Sequence, residues 1–236
     1  MQNRINIYNS KLLLILVSIG VLSLVLLGNW QLKRLAEKNV FIKTIEHNIA
    51  SPAISISSNA APTPTYSKVA IVGRFLPNKN ILLYGRRSAH PEKDGYYMLS
   101  AFEAENGQRY LVSRGWIPQS LKDNFYNFIL PHDNETIEAF TLPSEHRSFM
   151  MPKNDNDNNI WFTIDLQMAH NLLGVTETKY YLMQINNQLL PNGAKSLSAN
   201  QLSKVRNDHL EYAMTWYSLA ICLALVFIIS CRKQNK

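Results

Sequence analysis

The stretch HLEYAMTWYSLAICLALVFIISC, residues 209–231, begins with a histidine near two acids and then becomes almost wholly apolar. No charged residue occurs from position 212 to position 231. A helix of ~20 apolar residues is long enough to cross the ~30 Å hydrocarbon core of a bilayer. The sequence therefore predicts a transmembrane helix over residues 211–231, followed by a short tail at 232–236.

A second apolar stretch lies near the other end of the chain. Residues 12–32 carry no charge, and LLLILVSIGVLSLVLL at 12–27 is almost wholly aliphatic. A cleaved signal peptide is the alternative interpretation, because Arg4 and Lys11 precede this run. The following LLGNWQLKR contains no A-x-A-like cleavage site, which favours an uncleaved anchor. We therefore predict a transmembrane helix over 12–32, after a segment at 1–11.

The charges next to the second span predict how the chain is oriented. Two spans place both termini on the same side of the membrane, and the basic tail CRKQNK favours the cytoplasmic side. Residues 33–210 are then an external domain. Because no Arg- and Ser-rich extension precedes the first span, we expect a bacterial inner (plasma) membrane with the domain in the periplasm.

The net charge of the chain indicates the kind of partner it binds, and the positions of its cysteines indicate whether the external domain has a disulfide. The net charge of +7 on an anchored external domain favours anionic lipid headgroups or an acidic protein over nucleic acid. Cys222 and Cys231 both lie in the second span, so no disulfide is expected in the external domain.

The external domain shows the pattern of a small β protein. Short β-branched or aromatic runs, separated by Pro, Gly, Asn or Asp, predict strands. They lie at residues 66–76, 80–87, 95–104, 109–118, 134–142, 161–164 and 178–186. ENGQ at 105–108 predicts a hairpin turn, and DLQMAHNLLG predicts a helix capped by Asp165 and ended by Gly174.

The predicted fold class is α+β. Two terminal transmembrane helices flank an external, mainly antiparallel β domain, which is a sheet or a small barrel with one short helix. The first helix is expected to continue beyond the membrane to about residue 50, because residues 30–50 contain neither Pro nor Gly.

Motifs for catalysis and metal binding are missing from the sequence. It contains no nucleophile elbow, phosphate-binding loop or H-E-x-x-H, so we do not expect an enzyme. The six histidines are scattered. DNDNN at 155–159 resembles a calcium loop but lacks the central Gly and the distal Glu. His170, on the predicted short helix, is interpreted as structural.

Five phrases together point to a known family. They are GNWQLKRLAEK (28–38), VGRF (72–75), LVSRGWIP (111–118), NNIWFTIDLQMA (158–169) and VRNDHLEYAMTWYSLA (205–220). In this order, between two terminal spans, the chain resembles the surfeit locus protein family, called Shy in yeast. These proteins are assembly factors for cytochrome c oxidase.

The resemblance implies a haem-related role. Members are implicated in delivering haem a to the catalytic subunit of the oxidase, and bacterial members are described as haem-binding. The implied partners are therefore the oxidase catalytic subunit, the proteins that make and insert haem a, and membrane lipid. A scaffold that stabilises oxidase subunits without binding haem is the alternative.

His209 matches the family's proposed axial ligand in the phrase H-L-x-Y-x-x-T-W. On a helix it shares a face with Tyr212 or Ala213, Trp216 and Ala220, and the small alanines would leave a groove for a flat macrocycle. Asp208 and Glu211 favour the imidazolium form, which cannot ligate, unless one of them orients the ring. The alternative is that the aromatic residues form an interfacial belt and His209 is merely polar.

Basic residues supply candidate contacts for the haem propionates. Trp30, Arg34 and Lys38 are four apart on one helix face, where snorkelling to lipid phosphates is the alternative role. In SRGWIP, Trp116 is predicted to be a core residue and Arg114 a partner or propionate contact. Gly73 and Arg74 are interpreted as a structural feature at the end of a strand.

Overall fold

The computed structural model describes residues 7–56, 63–85, 91–123, 134–144, 148–188, 190 and 192–234. The chain forms two compact units, Met1–Thr44 with Val205–Lys236, and Ile45–Lys204. Within the described ranges the α-helices are α1 (Ile7–Ala50), α2 (Leu166–Leu173), α3 (Asn200–Ser203) and α4 (His209–Gln234). Three histidines (His90, His132 and His146) and the end of the strand predicted at 80–87 lie outside the described residues.

The first unit is a pair of long helices. Helix α1 is continuous from Ile7 to Ala50, as predicted for a helix that runs beyond the first apolar stretch. Both α1 and α4 are long and apolar enough to cross a membrane, judged by length and composition. Most of their leucine, isoleucine and valine side chains are exposed. The helix pair is thus compatible with a membrane protein.

The second unit is a β-barrel. Its strands are β1 (Ile54–Ser55), β2 (Lys68–Tyr84), β3 (Gly95–Ala104), β4 (Arg109–Pro118), β5 (Glu135–Pro143), β6 (Ile160–Trp161) and β7 (Tyr180–Gln184). They are hydrogen-bonded in the order β1-β2-β3-β4-β7-β5, and β2 also pairs with β5, so the sheet closes on itself. The predicted α+β class with a small barrel is confirmed. The described sheet is mixed, since the β1–β2, β2–β6 and β4–β7 pairings are parallel.

Strand β2 makes the closure possible. Its first half pairs with β5 and its second half pairs with β3. The prediction of two strands, 66–76 and 80–87, was wrong, because a register shift between Phe75 and Asn80 accommodates Pro77 within one strand.

Gly73 lies at the point where β2 changes partner, opposite both Ala104 and Glu135. A Cβ at this position would lie 2.1 Å from the backbone oxygen of Glu103. Gly73 is therefore required for close strand contact in the middle of β2, and its interpretation as a strand-end feature was wrong.

One face of all five ring strands fills the barrel interior. These buried side chains are Val69, Ile71, Phe75, Phe102, Ala104, Tyr110, Val112, Ile137, Ala139, Tyr180 and Leu182. A second cluster covers part of the outer face and includes Trp161, Leu166 and Leu173 from β6 and α2. Trp116 is fully buried and its indole Nε1 donates to the Gly85 carbonyl at 2.8 Å, which confirms the predicted core role.

The remaining elements largely match the predictions. Strands β3 and β4 have the predicted bounds, and the turn between them has Gly107 at φ 78°. Asp165 caps α2 by accepting from the Met168 amide at 2.9 Å, and Gly174 ends it at φ 74°. Strand β6 has two residues where four were predicted, because the chain turns into the α2 cap directly after Phe162 and Thr163.

Candidate functional site on the helix pair

Helices α1 and α4 pack antiparallel along a seam with three- and four-residue spacing. Among the less exposed positions on α1 are Val17, Val21, Leu24, Gly28, Gln31 and Leu35. Among those on α4 are His209, Ala213, Trp216, Ala220, Leu223 and Phe227. This spacing is that of knobs-into-holes packing between long helices. The seam therefore contains Gly, Ala, Gln and His as well as Val, Leu, Trp and Phe, while most of the Leu, Ile and Val residues of the pair face outward.

His209 contacts Gln31 across this seam. The imidazole Nδ1 lies 2.8 Å from the Gln31 side-chain oxygen Oε1. Gln31 is 9% exposed, and His209 is partly exposed at the first residue of α4. Because Oε1 only accepts, this contact requires a proton on Nδ1, and in the neutral imidazole the lone pair then lies on Nε2. That tautomer has Nε2 available to ligate a metal ion.

On the sequence alone, Asp208 or Glu211 could orient the imidazole of His209, whereas in the structure Gln31 contacts the ring. Asp208 forms an ion pair with Arg206, and the first turn of α4 includes exposed Glu211. The group that orients the imidazole is a neutral amide on the other helix, rather than either acid.

The small residues of the seam are covered by the facing helix. Ala213 is 1% exposed and Ala220 is buried. A Cβ added to Gly28 would meet the Tyr217 ring at 2.6 Å. These residues allow close helix contact, and they leave no groove for a macrocycle between α1 and α4. A haem at His209 would have to contact the outer surface of the pair.

The aromatic and basic candidates on the helix pair are mostly exposed. Tyr212 and Trp30 are about half exposed, and Trp216 is partly buried with its indole nitrogen unpaired among the described residues. Arg34 lies over the Trp30 ring at 5.7 Å and pairs with Glu37 at 2.9 Å. An exposed pair of this kind contributes about 0–1 kcal/mol, so another anion can readily exchange with Glu37.

Arg114 lies in the barrel unit and is almost completely enclosed. Its guanidinium carbon is 4.0 Å from the centre of the Phe75 ring. Burial lowers the pKa of Arg114 to about 10, opposed by the nearby charge of Glu135. Burial also raises the pKa of Glu135. This setting indicates an internal contact of the barrel and gives a propionate little surface to bind.

No other candidate site for metal binding is found among the described residues. Within the described ranges, no three His, Cys, Asp or Glu side chains are grouped for metal binding. In the DNDNN loop, the Asp155 carboxylate accepts from the backbone and side-chain nitrogens of Asn158 at 3.1 and 2.8 Å. His170 bonds the Val175 carbonyl at 2.7 Å through Nδ1, which is consistent with a structural role.

Gln31 is the site residue that the sequence prediction missed. Its partner is 178 positions away, so no local pattern links the two. The available signal was a polar residue on the repeating three- and four-residue face of an apolar helix. Two further side-chain pairs join the helices, Tyr217 to Asn29 at 2.7 Å and Asn207 to Asn39 at 2.8 Å.

Comparison with known proteins identifies relatives over most of the chain. The model of the SURF1 family matches residues 19–221. A SURF1-like protein of Rickettsia bellii is 43% identical, covering 90% of this chain and 88% of its own length. One of Rickettsia conorii is 41% identical over 92% of this chain and 90% of its own length. The yeast cytochrome oxidase assembly protein SHY1 is 21% identical over 89% of this chain and 72% of its own length. The chain, with its helix pair, closed barrel and His209–Gln31 contact, belongs to the SURF1 family.

Proposed function

We propose that this protein is an assembly factor for cytochrome c oxidase that holds haem a transiently and passes it to the catalytic subunit. The assembly role is supported by family membership and by the similarity to the yeast protein, which is named for cytochrome oxidase assembly. Its partners would be the catalytic subunit and the proteins that make and insert haem a. The role of carrier involves no catalysis by the chain.

The haem proposal is based mainly on which ring nitrogen of His209 contacts Gln31. With its ring proton on Nδ1, facing Gln31, His209 has Nε2 left as a donor for haem iron. When bound, haem a would supply the iron that this nitrogen ligates. Trp30 and Tyr212 supply exposed aromatic surface for the macrocycle, and Arg34 supplies a cation for a propionate. Because the seam is closed, the chain would cover the macrocycle only in part, which suits a carrier that must release it.

We further propose that the protein lies in a bacterial plasma membrane with the barrel in the periplasm. The last turn of α4 carries Arg232 and Lys233, and basic residues favour the cytoplasmic end of a span. A cysteine placed at Phe149, with Cys222 and Cys231 replaced by Ser, should react with an impermeant maleimide in intact spheroplasts. A cysteine at Lys233 should react only after lysis, and the reverse pattern would overturn this orientation.

The carrier proposal is tested by the absorption spectrum of the full-length protein, co-expressed with the haem a biosynthetic enzymes and purified in detergent. We expect a stoichiometric haem a band that is lost in His209→Ala. The matched control is His47→Ala, an exposed histidine near the end of α1, which should keep the band. A folded but colourless wild-type protein would contradict haem binding.

A scaffold that binds oxidase subunits without haem is a second candidate, because of an exposed apolar patch on the barrel unit. Phe149 is 98% exposed and Met150 is 91% exposed. Soluble domains rarely leave adjacent large apolar side chains so exposed without a binding role. If Phe149→Ser with Met150→Ser abolishes co-purification of oxidase subunits while His209→Ala does not impair assembly, the scaffold is favoured over the carrier.

A further inference from the structure

Gln31 occupies a position where a polar side chain needs a specific partner. It lies on the packed face of α1, and α1 is apolar from residue 12 to residue 27. Burying an amide without a hydrogen bond is unfavourable, so an unpaired glutamine is disfavoured there. The contact of Oε1 with His209 Nδ1 at 2.8 Å provides that partner.

We infer that Gln31 is a positioning residue that fixes the imidazole of His209 in its Nδ1–H tautomer and directs Nε2 toward an incoming haem iron. This inference rests on the proposed function, because it assigns Gln31 a role only if His209 is the ligand. It also implies that the ligand site is built by both helices. Neither α1 nor α4 alone would present the histidine in this state.

The partner of His209 is an amide rather than a carboxylate, and this affects how strongly Nε2 would bind iron. A carboxylate that accepts from Nδ1–H draws the proton toward itself and makes Nε2 a stronger donor to iron. A neutral amide oxygen fixes the same tautomer with less transfer of charge. Gln31 therefore holds His209 ready to ligate while keeping the iron–imidazole bond weak enough for transfer, as a carrier requires.

The first test measures the tautomer directly, in haem-free full-length protein in detergent micelles. Histidine-labelled ¹⁵N–¹H correlation spectra distinguish a protonated Nδ1 from a protonated Nε2. We expect Nδ1–H for His209 in the wild type and a mixture of tautomers in Gln31→Leu. Asn29→Leu is the matched control, since it removes the neighbouring contact between the helices, Asn29 with Tyr217, and does not touch His209.

The second test measures binding and release of haem a on the same variants. Loss of an outer partner of a metal ligand lowers affinity by about 10–100-fold, and we expect a loss in this range for Gln31→Leu but not for Asn29→Leu. Gln31→Glu keeps an acceptor for Nδ1–H. We expect it to keep haem a and to release it to apomyoglobin about 10-fold more slowly than the wild type.

Several outcomes would overturn the inference. They are an Nε2–H tautomer in the wild type, equal haem affinity in Gln31→Leu and Asn29→Leu, or wild-type release from Gln31→Glu. If Gln31→Leu fails to fold, the inference is still tested by the wild-type tautomer and by the rate at which Gln31→Glu releases haem a. Loss of haem in His209→Ala but not in Gln31→Leu would overturn only this inference. A wild-type protein that binds no haem a would overturn the proposed function, and the spectra would still test the tautomer.

Discussion

The helix pair and the barrel differ in the side chains that they bury. The barrel interior is made of Val, Ile, Leu, Phe, Tyr and Ala, with charged residues mostly on its surface. The seam of the helix pair contains Gly28, Gln31, His209 and Ala213, and its outer surface is Leu, Ile and Val. In water, apolar burial drives packing, whereas in lipid the apolar residues lose nothing by staying outside. The difference is compatible with a helix pair packed in lipid and a barrel packed in water.

The two units also differ in how they hold buried polar groups. In the seam, Gln31 and His209 are joined by one hydrogen bond across the helices. In the barrel, Arg114 lies over Phe75, and its Nε, like Oε1 of Glu135, is unpaired among the described residues. Buried charges need more partners than neutral groups do. The contrast favours an internal, structural contact for Arg114.

The largest effect is expected from the barrel core. Trp116→Ala removes a fully buried ring and leaves the Gly85 carbonyl without the indole donor. Such a truncation costs about 3–5 kcal/mol, and it should lower the unfolding midpoint of the barrel in denaturant, followed by near-UV circular dichroism. Phe149→Ala is the control, because its ring is exposed, and it should change the midpoint little. Equal shifts for the two variants would contradict the assigned core.

A backbone contact gives the next largest effect. Gly73→Ala forces a methyl group against the backbone oxygen of Glu103 where β2 changes partner, and backbone cannot move aside as a side chain can. We expect destabilisation of about 1–3 kcal/mol or more, with the helix pair unaffected. Denaturant unfolding of the same detergent-solubilised protein measures it. Gly107→Asn is the control, since a Cβ there meets nothing and Asn tolerates the left-handed turn.

A substitution in the helix seam should destabilise the protein less than a substitution in the barrel. Gly28→Val places a branched side chain against the Tyr217 ring. The ring can move away from it, although it then loses its hydrogen bond to Asn29. We expect a cost of about 1 kcal/mol. It should appear as lower disulfide yield between cysteines placed at Asn39 and Asn207 in a background without Cys222 and Cys231. Leu26→Val, at an exposed position of the same helix, should leave the yield unchanged.

The smallest effect concerns a charged contact on the barrel surface. Hydrogen bonds from Arg74, and then from Arg109, hold the pKa of Glu103 below its ordinary value of 4.5. Glu103 thus stabilises the fold above that value, and its contribution is lost as pH falls through the lowered pKa of the folded state. Glu103→Gln should destabilise the barrel by under about 1 kcal/mol at pH 7, with the difference shrinking as pH falls below 4.5. Glu105→Gln, an exposed acid in the next turn, is the control, and a pH-independent difference for Glu103→Gln would contradict this assignment.

Elements specified by nearby residues were predicted well. The two apolar stretches, β3 and β4 with their Gly107 turn, and α2 between Asp165 and Gly174 all depend on local patterns. Elements that depend on distant partners were predicted poorly. The Pro77 region was taken as a break, although pairing on both sides keeps β2 continuous. The propionate role of Arg114 stays a prediction that its burial does not favour.

By itself, the sequence determined the two long apolar helices and the β-rich class of the domain between them, which follow from the length, periodicity and turn residues of short segments. Its resemblance to a known family implied His209 as a candidate ligand. Only the tertiary structure decided the closure of β2 on β5, the filling of the Gly28 and Ala213 seam, and the pairing of His209 with Gln31. Each of these joins residues far apart in the chain. Their energies arise from packing and hydrogen bonds that form only when the whole chain is folded.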